Sequence, residues 1–223
     1  MLESVTVVGR GRLGSAVVER LRERGVRLRD DGGDLVLLCV PDSAIAEVAS
    51  GIEPGPWVAH TSGATPLAAL DPHTLRFGVH PLQTFTRRRG AEQLDGAWAA
   101  VTAEGEEART RGFWLAGTLG LQPFELADEQ RALYHAGAAI ASNYLVTLFR
   151  AAARLLDEAG APPEALVPLM RRVIENDFEL TGPIERGDWT TVEAHLTAIR
   201  ESAPDLEPMY RTLADLTAAV AAR

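Results

Sequence analysis

The chain contains no lysine: all 22 basic residues among its 223 are arginine. That excludes a Walker phosphate loop, whose lysine reaches the phosphates, a Schiff-base enzyme, and any lysine acting as general acid or base. Cysteine is almost absent too. Cys39 stands alone inside an apolar run, so a disulfide framework is excluded and a reducing, cytoplasmic setting is expected. No uncharged apolar run approaches the length of about 18 residues that reads as a membrane span. Positive charge is in deficit, with 31 acids giving a net charge of −9. Counterion release from a nucleic acid backbone therefore cannot drive binding on a large scale, and nucleic acid is not an expected partner. Met1-Leu2-Glu3-Ser4 lacks a basic region leading into an apolar stretch, so no signal peptide is expected. What is present is 46% hydrophobic residues, and a chain of this size buries roughly 70% of its unfolded surface.

Charge and pattern change together along the chain. Residues 1–122 hold 13 arginines and 15 acids, whereas residues 123–223 hold 9 and 16. Before Pro123, short apolar runs alternate with helical stretches, the rhythm of a mostly parallel sheet. Strands are expected at Ser4–Val8, Leu35–Val40, Trp57–His60, Arg76–His80, Ala97–Val101 and Gln122–Leu126. Helices are expected at Leu13–Arg24, at Ala44–Ala49 with Asp42 as N-cap, and at Glu106–Leu119. After Asp128 the pattern is helical throughout. One helix of about 32 residues is expected from Asp128 to Ala159, closed by Gly160, followed by Pro163–Leu180, Asp188–Arg200 and Pro208–Ala222. The fold class is α/β: a shortened, doubly wound Rossmann domain over residues 1–126, then an all-α domain over 127–223. Ala136–Phe149 is apolar almost all round and must be covered on several sides. The few helices after it suggest that a second subunit helps, making a homodimer through the long helix.

The glycine loop Gly9-Arg10-Gly11-Arg12-Leu13-Gly14 falls directly between strand and helix. Its glycines serve a tight turn, close approach of the backbone to a pyrophosphate, and close helix–strand packing, and the helix N-terminus attracts the anion. The bland alternative is a retained turn that no longer holds cofactor. Arg10 and Arg12 suit phosphate, or they are solvated surface charge. Only Gly25–Asp34 separates the first helix from the next long strand, about 30 residues short of a full βαβαβ half. Val26–Arg29 reads as a stunted strand. Asp30 lies 21 residues after Gly9, near where a ribose-binding acid stands, but Asp30-Asp31-Gly32-Gly33 also reads as a plain turn.

Three polar turns, Val40-Pro41-Asp42, His60-Thr61-Ser62-Gly63-Ala64 and His80-Pro81-Leu82-Gln83-Thr84-Phe85, each follow an expected strand. Ligands of open α/β sheets bind outside such strand ends, and a histidine there can move a proton near neutral pH. Each histidine alone could equally be a capped strand end. Two histidines without a further ligand do not make a metal site, and none is expected. Arg87-Arg88-Arg89 could clamp a carboxylate or phosphate, or be a solvated loop. The long helix carries Tyr134, His135, Ser142 and Asn143. The spacing of seven sets His135 and Ser142 on one face, either bonded across helices or turned into a crevice.

These stretches, with Leu180-Thr181-Gly182-Pro183-Ile184, resemble a family of Rossmann-like proteins with an uncharacterised helical C-terminal domain, in the 6-phosphogluconate-dehydrogenase-like superfamily. The resemblance implies an NAD(P)-dependent oxidoreductase similar to ketopantoate, pyrroline-5-carboxylate and β-hydroxyacid reductases. It implies weakly held NADP or NAD at Gly9–Gly14, Val40, Pro41, Asp42 and Thr61. It also implies a small, anionic carbonyl or imine substrate at His60, Ser62, Gly63, His80, Gln83 and Ser142. Aligning the asparagine of the β-hydroxyacid dehydrogenases on Asn143 puts Ala139 where they have a catalytic lysine. His135, one turn earlier, is the expected substitute acid, with Asn143 orienting the substrate. The rival expectation is a non-catalytic nucleotide or metabolite sensor on the same fold.

Overall fold

A computed structural model describes Leu2–Ala222. Strand β1 (Ser4–Val8) leads through the glycine turn into helix α1 (Arg12–Glu23), and β2 (Arg27–Leu28), β3 (Leu35–Leu38), α2 (Ile45–Ser50), β4 (Trp57–His60) and β5 (Arg76–Pro81) follow. Strand β6 (Trp98–Ala103), helix α3 (Glu106–Thr118) and strand β7 (Gln122–Glu125) complete a sheet ordered β2-β1-β3-β4-β5-β6-β7. Strands β1 to β5 run parallel, β6 is antiparallel to β5, and β7 is parallel to β6. The central strands are Val- and Leu-rich because both their faces are covered. Val5, Leu35, Leu37, Phe77 and Val101 pack with Val17, Leu21 and Leu115 on one face. Val36, Leu38 and Val58 meet Ile45, Ala49, Leu67 and Leu70 on the other. Alternate residues of a strand point to opposite sides, which is how one run feeds both clusters.

The stunted strand has a simple physical basis. Strand β2 pairs only at the bottom of β1, with Ser4↔Arg27 and Val5↔Leu28, and β3 begins at that same level, opposite Val5. A chain that has not climbed the sheet needs no helix to bring it back down. The turn is instead stitched to β1: the Arg29 amide donates to the Val5 carbonyl, Gly33 to the Thr6 hydroxyl, and Asp34 to Ser4 Oγ. Arg29 is thereby held at the level of Val5, four residues before Gly9.

Two further expectations are corrected. Asp42 makes no side-chain cap; it opens a 3-10 turn, Asp42–Ala44, ahead of α2. The long helix is not uniform. A 3-10 turn (Asp128–Gln130) leads into α4 (Arg131–Ala139), the winding widens to a π-helix over Ile140–Tyr144, and α5 (Leu145–Glu158) continues. The shared face of His135 and Ser142 assumed a uniform step of about 100° per residue, which the wider turn removes.

Compact units divide inside that π-helix, as Met1–Ala141 and Ser142–Arg223, later than the expected boundary near 126. The first turns of α4 belong with the sheet because Arg131 is rooted there, donating to the Thr102 hydroxyl and the Ser62 carbonyl. The second unit holds α5, α6 (Leu166–Glu175), α7 (Trp189–Ser202) and α8 (Glu207–Ala221). Asp188 caps α7 through the Thr191 amide at 3.1 Å. Val192, Leu196 and Ala214 form its small buried cluster. No helix among the described residues is long and apolar enough to cross a membrane.

Candidate functional site

The three glycines of the loop do different work. Gly9 has φ of 100°, and a Cβ there would lie 2.4 Å from the Cys39 carbonyl oxygen. A Cβ on Gly14 would lie 2.2 Å from the Gly9 carbonyl oxygen, so this glycine lets α1 close onto the turn. Gly11 is the exception: a Cβ there would meet nothing within 4 Å. The fold does not demand a glycine at position 11, whereas a ligand lying against the backbone would. Gly11 is also the N-cap of α1 and supplies no side-chain cap, so the first amides of the helix are open to an anion. These residues fit a dinucleotide pyrophosphate. Cys39 beneath them is no nucleophile, because burial pushes its thiol up to about 12.

Strand β3 separates β1 from β4, so the turn after β4 lies about 10 Å across the sheet from the glycine loop. There the structure sorts the expected residues. His60 is fully buried, and neither ring nitrogen has a hydrogen-bond partner among the described residues. Burial first, then the charges of Arg131 and His80, push it down to about 3. It is neutral, and it has no surface to offer a substrate. Thr61 Oγ1 donates to the Leu38 carbonyl. Ser62 Oγ donates to Thr65 Oγ1 and accepts from the amides of Ala64 and Thr65, so it holds the turn and is spent there. Gln83 is exposed, its amide oxygen accepting from Thr84 N–H.

The turn exists to bring Gly63 under two rings. A Cβ at Gly63 would lie 2.7 Å from His135 Cδ2 and 2.9 Å from both Cε1 and Nε2 of His80. The rings of His80 and His135 meet edge-on at 5.9 Å, and His80 Nδ1 hydrogen-bonds Tyr134 OH at 2.8 Å. Phe124 backs Tyr134 edge-on at 6.0 Å. Burial, then His135 and Arg131, lower His80 to about 4, and burial raises the Tyr134 phenol to about 12. Both are neutral near pH 7: an imidazole that does not readily hold a second proton, and a phenol that keeps its own.

Arg131 lies beneath this group, 1% exposed. Its Nε has no hydrogen-bond partner among the described residues, and it forms an ion pair with Asp128 at 3.9 Å. A buried guanidinium with so little opposite charge is costly, and burial accordingly lowers its pKa. What it gains is position, since it ties α4 to the turn after β4. Tyr134 and Arg131 are the residues that sequence reasoning undervalued. The spacing Arg131-x-x-Tyr134-His135 was visible, but not that it would cross the sheet ends. Ser142 and Asn143 fall in the second compact unit, within the π-helix.

A mostly parallel sheet with an open glycine turn, followed by a helical unit, defines a Rossmann-like protein. Within that class the chain belongs to the family described as a domain of unknown function, DUF2520, whose model matches residues 97–217. No curated protein is significantly similar to the sequence. Among solved structures, a Bacteroides fragilis protein described as a candidate NADP oxidoreductase is similar over 97% of this chain and 98% of its own, at 22% identity and TM-score 0.82. A Thermotoga maritima protein matches over 97% and 98%, at 24% identity and TM-score 0.78. A reductive aminase from Aspergillus terreus, in complex with NADPH and ethyl levulinate, matches over 96% and 93%, at 17% identity and TM-score 0.66. At these identities the likeness is one of fold.

Proposed function

We propose that this protein is an NAD(P)-dependent reductase or dehydrogenase of a small, anionic carbonyl or imine compound. The observation that carries the reading is the contrast at the glycine turn: Gly9 and Gly14 are required by the protein's own packing, while Gly11 faces open space. The Aspergillus terreus relative, solved with NADPH, supports a nicotinamide cofactor.

A nicotinamide cofactor supplies or accepts hydride when bound; the chain positions reactants and handles the proton. His135 is the proposed proton donor in the reducing direction, poised with His80 over Gly63. His80 is the poorer donor, since it is neutral and already engaged with Tyr134. It holds the Tyr134 phenol in place, and Gly63 keeps the floor of the crevice open. Arg131 draws on the Ser62 carbonyl and fixes the height of that floor.

The experiment is thermal unfolding of the full chain with NAD+, NADH, NADP+ and NADPH at millimolar concentration. A ligand at 100 times its dissociation constant adds about 2.7 kcal/mol of stability. Stabilisation by a dinucleotide, lost in Gly11→Leu while that variant still folds, is the expected result. Absence of stabilisation in the native chain overturns the reading. Binding without hydride transfer to any carbonyl or imine in a substrate panel favours the sensor instead.

A further inference from the structure

Two arginines that the reductase reading does not use, Arg87 and Arg89, gather with Arg10 and Arg12 on the flank of α1. Arg10 and Arg12 come from the glycine turn, and Arg87 and Arg89 from the loop after β5. Together they line an open cavity of about 350 Å³, floored by Gly11 and Ser15. In a chain with net charge −9, such a concentration of positive charge is unexpected from composition. Arg89 pairs with Glu92 at 3.4 Å, but Arg10, Arg12 and Arg87 have no ion pair or side-chain hydrogen bond among the described residues. The carboxylate in the cavity, Glu19, is already occupied: its Oε2 accepts the Ala91 amide at 2.9 Å.

The loop bearing Arg87 and Arg89 is held in place rather than merely solvated. Gln93, 4% exposed, accepts the Thr86 amide at 2.8 Å and donates to the carbonyls of Arg89 at 2.7 Å and Gly90 at 3.0 Å. One buried side chain thus clamps both ends of the arginine segment. Buried Arg20 draws the following turn onto α1 through the Ala91 carbonyl at 2.9 Å. Solvated loops do not need such bracing, whereas a binding surface that must present charges at a set distance does.

We infer that Arg10, Arg12, Arg87 and Arg89 form an anion subsite for a phosphate group. The planar fork of arginine matches phosphate oxygens, and the open helix N-terminus adds its dipole. Two sources share this chemistry: a phosphate of the bound dinucleotide, which rests on the reading above, and free phosphate or a small phosphorylated compound.

Titration calorimetry on the full chain and on the Arg87→Ala/Arg89→Ala variant, with NAD+, NADP+ and inorganic phosphate, tests it. If the source is the cofactor, the double variant loses about ten- to a hundredfold in dinucleotide affinity, as expected for charge-assisted hydrogen bonds, for NADP+ alone where the group is its 2′-phosphate and for both dinucleotides where it is the pyrophosphate. If the source is free phosphate, each dinucleotide binds the two chains alike, and phosphate binds the native chain but not the variant. Phosphate binding lost in the variant, with no dinucleotide binding by either chain, keeps the subsite and removes the reductase reading. Equal affinities of both chains for every dinucleotide and for phosphate overturn the subsite and leave that reading standing. If the native chain binds none of the three, both fall.

Discussion

His80 Nδ1 and the Tyr134 hydroxyl, 54 residues apart in sequence, lie 2.8 Å apart with their rings edge-on. The contact joins a strand end to the first turn of α4, and burial keeps both groups neutral beside Gly63. It has a consequence for stability. Burial holds His80 near 4 and His60 near 3, while both stand near 6.5 in the unfolded chain. Below about 6.5 the unfolded chain takes up protons that the folded chain refuses. Stability is therefore fully present above that pH and is lost as pH falls toward the folded values. Urea unfolding at pH 7, 5.5 and 4.5 should show a slope of up to about 1.4 kcal/mol per pH unit for each histidine. His60→Gln/His80→Gln should flatten it. An unchanged slope in the double variant means that other groups set the acid limit.

The proton donor is separable from its neighbour. A general acid contributes typically 10²–10⁴-fold to rate, and His135→Ala should lower turnover within that range, with a smaller effect on cofactor affinity. Tyr134→Phe removes the hydroxyl bonded to His80 and should cost less. A larger loss in Tyr134→Phe than in His135→Ala would make the phenol the donor.

Glycine substitutions should divide sharply. Gly14→Ala forces a Cβ to 2.2 Å from the Gly9 carbonyl oxygen, and overpacking of this kind costs about 1–3 kcal/mol or more. Gly11→Ala meets nothing within 4 Å and should unfold close to the native temperature while binding dinucleotide less well. Gly63→Ala should fold and lose turnover, because its methyl displaces the rings of His80 and His135. Melting temperatures and cofactor titrations of the three variants check this pattern.

Arg20 offers a test of the fold alone. It is buried, pairing with Asp95 at 2.7 Å and Glu23 at 2.9 Å, and donating to the Leu119 and Ala91 carbonyls. Arg20→Met leaves those carbonyls without their donor, while the two exposed carboxylates regain water. A loss of about 2–3 kcal/mol is expected, read by urea unfolding. A loss below 0.5 kcal/mol would mean water reaches those carbonyls.

A homodimer is the expected assembly. In the second unit Val167, Leu169, Ile174, Phe178, Leu216 and Val220 are exposed, whereas its buried cluster is three residues with Ile184 and Tyr210 against them. A second copy is the proposed cover, since closed two-fold dimers are the commonest oligomers and an obligate interface buries about 2,000 Å² or more. Sedimentation at micromolar concentration should give twice the chain mass of 24.0 kDa. A folded monomer there refutes it.

Local pattern and covalent chemistry settled much of this protein in advance. The absence of lysine removed whole classes of mechanism. The continuous apolar run at Leu35–Val40 marked a strand covered on both faces, since only such strands dispense with alternation. The glycine spacing located the turn, because those roles are backbone geometry within a few residues. What depended on the whole fold was everything requiring distant segments to meet. No local signal says that β2 stops at the level of Val5 and that β3 begins there. Histidines 60 and 80 read alike as strand ends. The sheet buried one completely and turned the other toward Tyr134, because which side of a strand is covered is decided by the neighbours that pack on it. Nothing in the local pattern marks Arg131, which the packing of α4 draws onto the Ser62 carbonyl in the turn after β4. Burial, and the shift in charge state that follows from it, is a property of the assembled chain, and it chose which of the expected residues could face a ligand.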